Sequence, residues 1–203
     1  MKTIEIIGYK RANLGKAESK KLRTDSMVPC VIYGSGEQIH FYSPMILFRE
    51  LVYTAEAHFV RLNIEGQEFD AILQDIQFHP VSEVIMHADF LQFQEGRSIK
   101  MNIPCHFVGM SPGVTRGGTL IKKRRHLRVS ALPKNMPEHI DIDISQLDFG
   151  KAIKVGQVPA ENFTIMDAPQ ASVAVVEIPR ALRGKMGSAG GGEETEEEEA
   201  AAE

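Results

Sequence analysis

The chain has no tryptophan, two cysteines, four tyrosines and only 7% aromatic residues. A surface that binds nucleic acid by stacking splayed bases needs exposed rings, so that mode is disfavoured. No RNA-recognition signature with interleaved aromatics is present. No apolar run approaches the roughly 20 residues that span a bilayer. The first residues, MKTIEIIGYKR, lack the apolar stretch and small-residue cleavage site of a secretory signal. Cys30 and Cys105 lie in apolar, strand-like runs, and the simplest reading is two buried free thiols in a reducing compartment. There is no Walker pattern, no GxGxxG and no GxSxG or Ser-x-x-Lys arrangement, so the nucleotide-binding loops and the common nucleophile signatures are missing. The segment from Gly113 to Gly118 is glycine-rich but lacks the strand-to-helix context of a phosphate loop.

The charge is unevenly placed. The net charge of −4 over 203 residues conceals three segments of different sign. Residues 1–95 carry 9 basic and 13 acidic side chains, residues 96–192 carry 14 and 7, and residues 193–203 carry 7 glutamates and no base. Within the first segment, residues 1–34 hold 7 bases against 3 acids. Lys10, Arg11, Lys16, Lys20, Lys21 and Arg23 gather ahead of the apolar run Cys30-Val31-Ile32, which ends at Tyr33-Gly34. Cations concentrated on a folded domain are a footprint for a polyanion. Arg11 and Arg23 flank the charged helix, and the planar guanidinium fork suits phosphates and base edges better than a lysine does. The second cluster, Lys122 to Arg128, reads either as an RNA contact or as a basic edge that discourages strand pairing.

Periodicity predicts a mainly β (α+β) chain of two domains. Residues 1–95 read as a small domain with strands at Thr3–Ile7, Val28–Tyr33, Ile39–Tyr42, Val60–Ile64, Glu68–Gln77 and Ser82–Phe93, the last the longest candidate. Short helices are expected at Lys16–Arg23 and Pro44–Tyr53, with a hairpin turn at Glu65-Gly66. Residues 96–180 read as a second β-rich domain with strands at Ile99–Val108, interrupted at Pro104, at Thr119–Leu132 as a pair or one long strand, at Ile140–Ile144 and at Val173–Ile178. Residues 181–203, rich in Gly, Ala and Glu, cannot bury enough apolar area to offset their ordering entropy, and disorder is the expectation there.

His87 and Asp89 lie two apart on one strand and so share a face, with Val84, Met86, Ala88 and Phe90 expected on the opposite, core side. Such a pair suits a metal site, a catalytic dyad or hydrogen bonding to a ligand, and equally two surface residues that merely orient each other. His79 is the nearest further ligand in sequence. That leaves a metal- or ligand-binding hydrolase on a His79/His87/Asp89 face as one reading and polyanion binding as the other.

Two ordered motifs discriminate between them. Arg11, Gly15-Lys16, Leu22-Arg23, Val28-Pro29 and Val31-Ile32-Tyr33-Gly34 form the first. Ile76-Gln77-Phe78-His79-Pro80 followed by His87-Ala88-Asp89-Phe90 forms the second. Together they resemble the bacterial 5S ribosomal-RNA-binding proteins of the large subunit, the L-twenty-five family, in its long CTC or general stress form. Phe107-Val108-Gly109, Pro112-Gly113-Val114, Gly117-Gly118 and Leu132-Pro133 resemble the second domain of that form. The resemblance implies an N-terminal small β-barrel with short helices and a non-enzymatic, structural role in translation. It implies binding to the loop E region of 5S rRNA in the central protuberance. The RNA-binding residues it implies are Arg11, Lys16, Arg23, Tyr33, Gln77, His87 and Asp89, with no cofactor beyond RNA-associated Mg²⁺. The implied partners are 5S rRNA and neighbouring large-subunit components, and the implied location is the ribosome in the cytoplasm, with no membrane and no small-molecule substrate. The chain departs from the pattern at Thr24-Asp25-Ser26-Met27, where a basic residue and a glycine are usual, and at Phe78, where a polar or basic residue is common.

Overall fold

A computed structural model describes residues 1–34, 36–94 and 96–179. The segment expected to be disordered, 181–203, lies outside the described residues. The chain divides into two compact units. The first comprises residues 1–105, 126–140 and 159–167, and the second 106–125, 141–158 and the remainder from 168.

The first unit is built on a closed six-stranded barrel. Its strands are β1 (Thr3–Lys10), β2 (Met27–Tyr33), β3 (Ile39–Pro44), β4 (Phe59–Ile64), β5 (Gln67–Phe78) and β6 (Ile85–Gln92), arranged in the order β1-β3-β2-β6-β5-β4. Closure comes from two parallel pairings. Thr3 through Gly8 run beside Phe59 through Ile64, and Cys30 through Tyr33 beside Ala88 through Leu91. The alternation of MVPCVIY sends Val28, Cys30 and Ile32 inward, where Phe41, Phe48, Phe90, Leu62 and Ile64 meet them without solvent exposure. Each large side chain sequestered in this way contributes roughly 1.5–3 kcal/mol. The β4–β5 hairpin turns on Glu65 and Gly66, both at positive φ (51° and 87°), as a two-residue type I′ loop requires. Asn63 Oδ1 accepts from the Gly66 amide at 3.0 Å. At the other end of β2, Gly34 has φ +121°, and a Cβ there would stand 2.7 Å from the Gln92 carbonyl oxygen, so the residue after Tyr33 is held to glycine on two counts.

Helix α1 (Lys16–Thr24) packs beside β2. Residues 45–53 form a 3₁₀ turn, Met45–Phe48, and then α2 (Arg49–Tyr53). Their inward residues Phe48 and Leu51 join the barrel core. The helix expected over Pro44–Tyr53 therefore starts one residue later, because Pro44 completes β3 opposite Met27.

After the barrel come β7 (Ile99–Val108), α3 (Pro112–Thr115), β8 (Thr119–Lys122), β9 (His126–Ala131), β10 (Ile140–Asp143), β11 (Ala152–Lys154), β12 (Thr164–Ile165) and β13 (Ser172–Glu177). Ile99 through Pro104 pair antiparallel with His126 through Ala131. Pro104 does not interrupt β7, which continues to Val108 with Pro104 opposite His126. Thr119–Leu132 holds two strands, as one of the two readings has it, but they do not pair with each other. β8 joins the sheet β11-β13-β8, while β9 sits between β7 and β12, and Lys123, Arg124 and Arg125 form the link. The second unit has its own apolar cluster of Ile144, Leu147, Ala174 and Val176, with Phe107, Leu120, Phe149 and Ile153 packed around it. Both thiols are free. Burial raises both: Cys30, beside Asp89, goes far above the ordinary thiol value, and Cys105, near Asp167, goes up to about 11. Neither is a thiolate at neutral pH.

Candidate nucleic-acid interface

Strand β6 carries the second motif, and its pairing with β5 contains two bulges. Leu73 faces Phe90 and Asp75 faces Asp89, which leaves Gln74 as an extra residue on β5. Gln77 faces His87 and Phe78 faces Ile85, which leaves Met86 as an extra residue on β6. A bulge re-aims the side chains next to it. Here two bulges bracket Asp75 to Gln77 against His87 to Asp89, and they account for a departure from simple alternation. Ala88 and Phe90 point into the core as expected. Ile85 takes the next buried place, while Val84 and Met86 remain part-exposed. Ser82–Val84 belong to the connecting turn, so β6 has 8 residues and the longest strand is β5, with 12.

On the outer surface between the bulges, His87 Nδ1 lies 2.5 Å from Asp89 Oδ1, each side chain about 30% exposed. The carboxylate fixes the ring and leaves Nε2 as its remaining polar atom. Gln77 lies across from His87, and Asp75 across from Asp89. Tyr33 ends the adjacent strand. Its phenol is raised above the ordinary tyrosine value, by partial burial first and then by Asp89 and Asp75, so it stays a neutral hydroxyl that both donates and accepts. The sequence reading missed Gln74 and Asp75. The signal was present as two consecutive polar residues, Gln74-Asp75, directly after the apolar run Ala71-Ile72-Leu73.

The cations are placed by α1. Lys16, Lys20 and Lys21 are exposed on it. Arg23 reaches across to the sheet, and its Nε donates to the Met86 carbonyl at 3.0 Å. The helix is therefore locked to the bulge immediately before His87. Arg11 is anchored at both levels: its amide donates to the His40 carbonyl at 3.0 Å, and its Nη2 donates to Ser19 Oγ at 3.0 Å. Ser19 Oγ in turn donates to the Gly15 carbonyl at 2.8 Å. The structure thus brings His87, Asp89, Gln77 and Tyr33 together on one face and ties the helix carrying Lys16 and Arg23 to that face. The internal hydrogen bonds of Arg11 and Arg23 were not visible in the sequence, because both partners are backbone or hydroxyl oxygens that carry no motif.

His79 does not join them. Its Nδ1 accepts from the amides of Val81 and Ser82 at 3.3 and 3.2 Å and so organises the β5–β6 turn. His79, His87 and Asp89 do not come together as a set of metal ligands. The hydrolase reading fails on this geometry, since its third group is committed to a turn.

The arrangement is a rigid patch of hydrogen-bonding side chains bordered by cations. Residues 6–90 match the model of the ribosomal L25p family. The chain belongs to this family. Residues 98–180 match the ribosomal protein TL5 C-terminal domain. The chain is 57% identical over 183 residues to the large ribosomal subunit protein bL25 of Amoebophilus asiaticus, covering 90% of this chain and 93% of that one. It is 50% identical to the bL25 of Cytophaga hutchinsonii, covering 90% and 95%. It is 41% identical to that of Porphyromonas gingivalis strain ATCC 33277, covering 91% and 97%. The family is ribosomal and structural, not enzymatic. No helix among the described residues is long and apolar enough to cross a membrane.

Proposed function

We propose that this chain is a structural constituent of the large ribosomal subunit that binds 5S rRNA at the loop E region in the central protuberance, in the cytoplasm. The carrying observation is the locking of cationic α1 to the bulge beside the His87–Asp89 pair through Arg23 and Met86. A preformed face of this kind pairs phosphate-positioning charges with groups that read base and ribose edges. Arg11, Lys16 and Arg23 contribute charge toward phosphates and sugars. Tyr33, Gln77, His87 and Asp89 supply donors and acceptors for grooves and 2′-hydroxyls. A carboxylate such as Asp89 is useful there only as an acceptor, so it selects RNA donors and disfavours bare phosphate. We assign this role to residues 1–95, and contacts with neighbouring large-subunit components to residues 96–180, on the strength of their basic balance. Mg²⁺ at the interface would belong to the RNA, and no cofactor of the chain's own is assigned.

The test is binding of the full chain to 5S rRNA and to an unrelated RNA duplex across a salt series. Selective binding, weakened about tenfold or more by His87→Ala and by Arg23→Ala, is expected. Equal, purely salt-controlled affinity for both RNAs would overturn the reading.

A further inference from the structure

Between α1 and the β1–β3 pairing lies a cavity of about 190 Å³ lined by Lys10, Arg11, Ala12, Asn13, Glu18, Leu22 and Tyr42. It falls below the roughly 300 Å³ at which drug-sized and cofactor pockets begin. It is several times the roughly 30 Å³ share of one water molecule. Arg11 brings an unusual feature to it. Nη2 is taken by Ser19, but Nε is shielded from solvent and has no hydrogen-bond partner. A buried N–H without an acceptor is costly, and a shift of the side chain that brought Nε to the cavity wall would let an incoming oxygen complete it. The remaining lining is mixed in a telling way. Lys10 and Arg11 supply positive charge. Asn13 and Glu18 supply acceptors. Tyr42 supplies a ring face, itself braced by Tyr9 with ring centroids 5.6 Å apart.

We propose that this cavity seats one sugar–phosphate unit of the bound RNA and is where the chain distinguishes ribose from deoxyribose. The phosphate lies against the Arg11 guanidinium with Lys10 alongside, the sugar lies against Tyr42, and its 2′-hydroxyl donates to Glu18 or Asn13. A carboxylate in an otherwise cationic cavity would weaken the binding of a phosphate alone. Its presence makes chemical sense when the ligand brings a hydroxyl donor together with the phosphate, which an RNA backbone does and a DNA backbone does not. The inference rests on the RNA-binding reading above and adds Lys10, Asn13, Glu18 and Tyr42 to it.

The experiment uses the full chain, 5S rRNA, an unrelated RNA duplex and a DNA copy of the 5S sequence, with wild type, Glu18→Ala and Asn13→Ala. Thermal unfolding is followed in parallel to confirm that each variant is folded. The expected result is that Glu18→Ala, Asn13→Ala or both weaken 5S rRNA binding about tenfold, leave DNA binding unchanged and do not alter the salt slope, because no phosphate contact has been lost. Tighter binding of Glu18→Ala to both RNA and DNA would show that the carboxylate merely repels backbones, and would overturn the proposal. So would unchanged RNA affinity in both variants. If wild type itself fails to prefer 5S rRNA over the unrelated duplex, the RNA-binding reading falls first. If wild type selects 5S rRNA but the variants do not narrow the gap between RNA and DNA, only the ribose seat falls.

Discussion

The two units solve the same problem, covering β-structure with apolar side chains, by different means. The barrel closes on itself, leaves no strand edge to protect, and centres on Phe41, Phe48 and Phe90. The ring centroids of Phe90 lie 5.9 and 6.3 Å from those of Phe41 and Phe48. The second unit relies on a smaller aliphatic cluster and supplements it with polar and cationic clasps. Arg116 bonds Asp148 at 2.7 Å while its guanidinium sits 5.3 Å from the Phe149 ring centre. Asp148 also accepts from the Phe149 amide at 2.7 Å, and Lys122 lies 5.0 Å from the Phe107 ring centre. Ser111 ties α3 to the Leu147 carbonyl and accepts from the Val114 amide. The difference teaches that the His87–Asp89 face stands on a large aromatic-centred core with its ion pairs on the outside, whereas the second unit sets its Arg116–Asp148 pair against the rim of a small core and so leans more on pH and salt.

The comparison breaks most readily at Phe90. Phe90→Ala removes a fully buried ring and is expected to cost about 4 kcal/mol, seen in urea unfolding and as faster amide exchange at Ile32 and Leu62. Leu147→Ala, in the smaller cluster, is expected to cost about 2–3 kcal/mol and to accelerate exchange at Val176. Equal loosening of both regions by either substitution would count against two separately packed cores. A smaller effect of opposite sign is expected at Ser26, which holds φ +59° without being glycine. Left-handed backbone costs a non-glycine residue about 1 kcal/mol or more, so Ser26→Gly is expected to raise the unfolding midpoint of the barrel. The smallest effect concerns acid. The Asp148 carboxyl is held below its ordinary value, by the Phe149 amide first and then by Arg116. A depressed folded-state value means stability that is present above the unfolded carboxylate range and lost as pH falls through the folded value. The second unit should weaken below about pH 4, and Asp148→Asn should flatten that acid limb in a melting series from pH 6 to pH 2. An unchanged limb would remove Asp148 from the account.

Much of the barrel was legible because alternation and turn chemistry are local. Val28, Cys30 and Ile32 on one face, the Glu65-Gly66 turn and the charged helix after Gly15 could each be read from a handful of neighbours. The shared face of His87 and Asp89 followed from their spacing alone. Other features depend on distant partners and were not legible. β1 runs on to Lys10 because Tyr9 and Lys10 pair with Tyr42 and Phe41. The phase of β6 slips at Met86, the extra residue in its pairing with β5. β12 is two residues whose only signature is their pairing with Val129 and Ser130. The anchoring of Arg23 belongs with these, since a backbone carbonyl 63 residues away leaves no trace in composition.

The parallel closures also govern when the barrel can form. Beside Thr3 stands Phe59, and beside Cys30 stands Ala88. The first strand made therefore waits for the fourth, and the second for the sixth. Pairings this distant demand loop closure before any contact repays it, which slows folding. A chain emerging from its exit tunnel can complete the β2–β3 hairpin early, but the ring stays open until residue 92 is free. β1 keeps an unpaired edge until β4 is made, by residue 64, and β2 keeps one until β6 is made, by residue 92, so the protein's exposure to aggregation is set by the time needed to synthesise the roughly sixty residues that separate β2 from the end of β6.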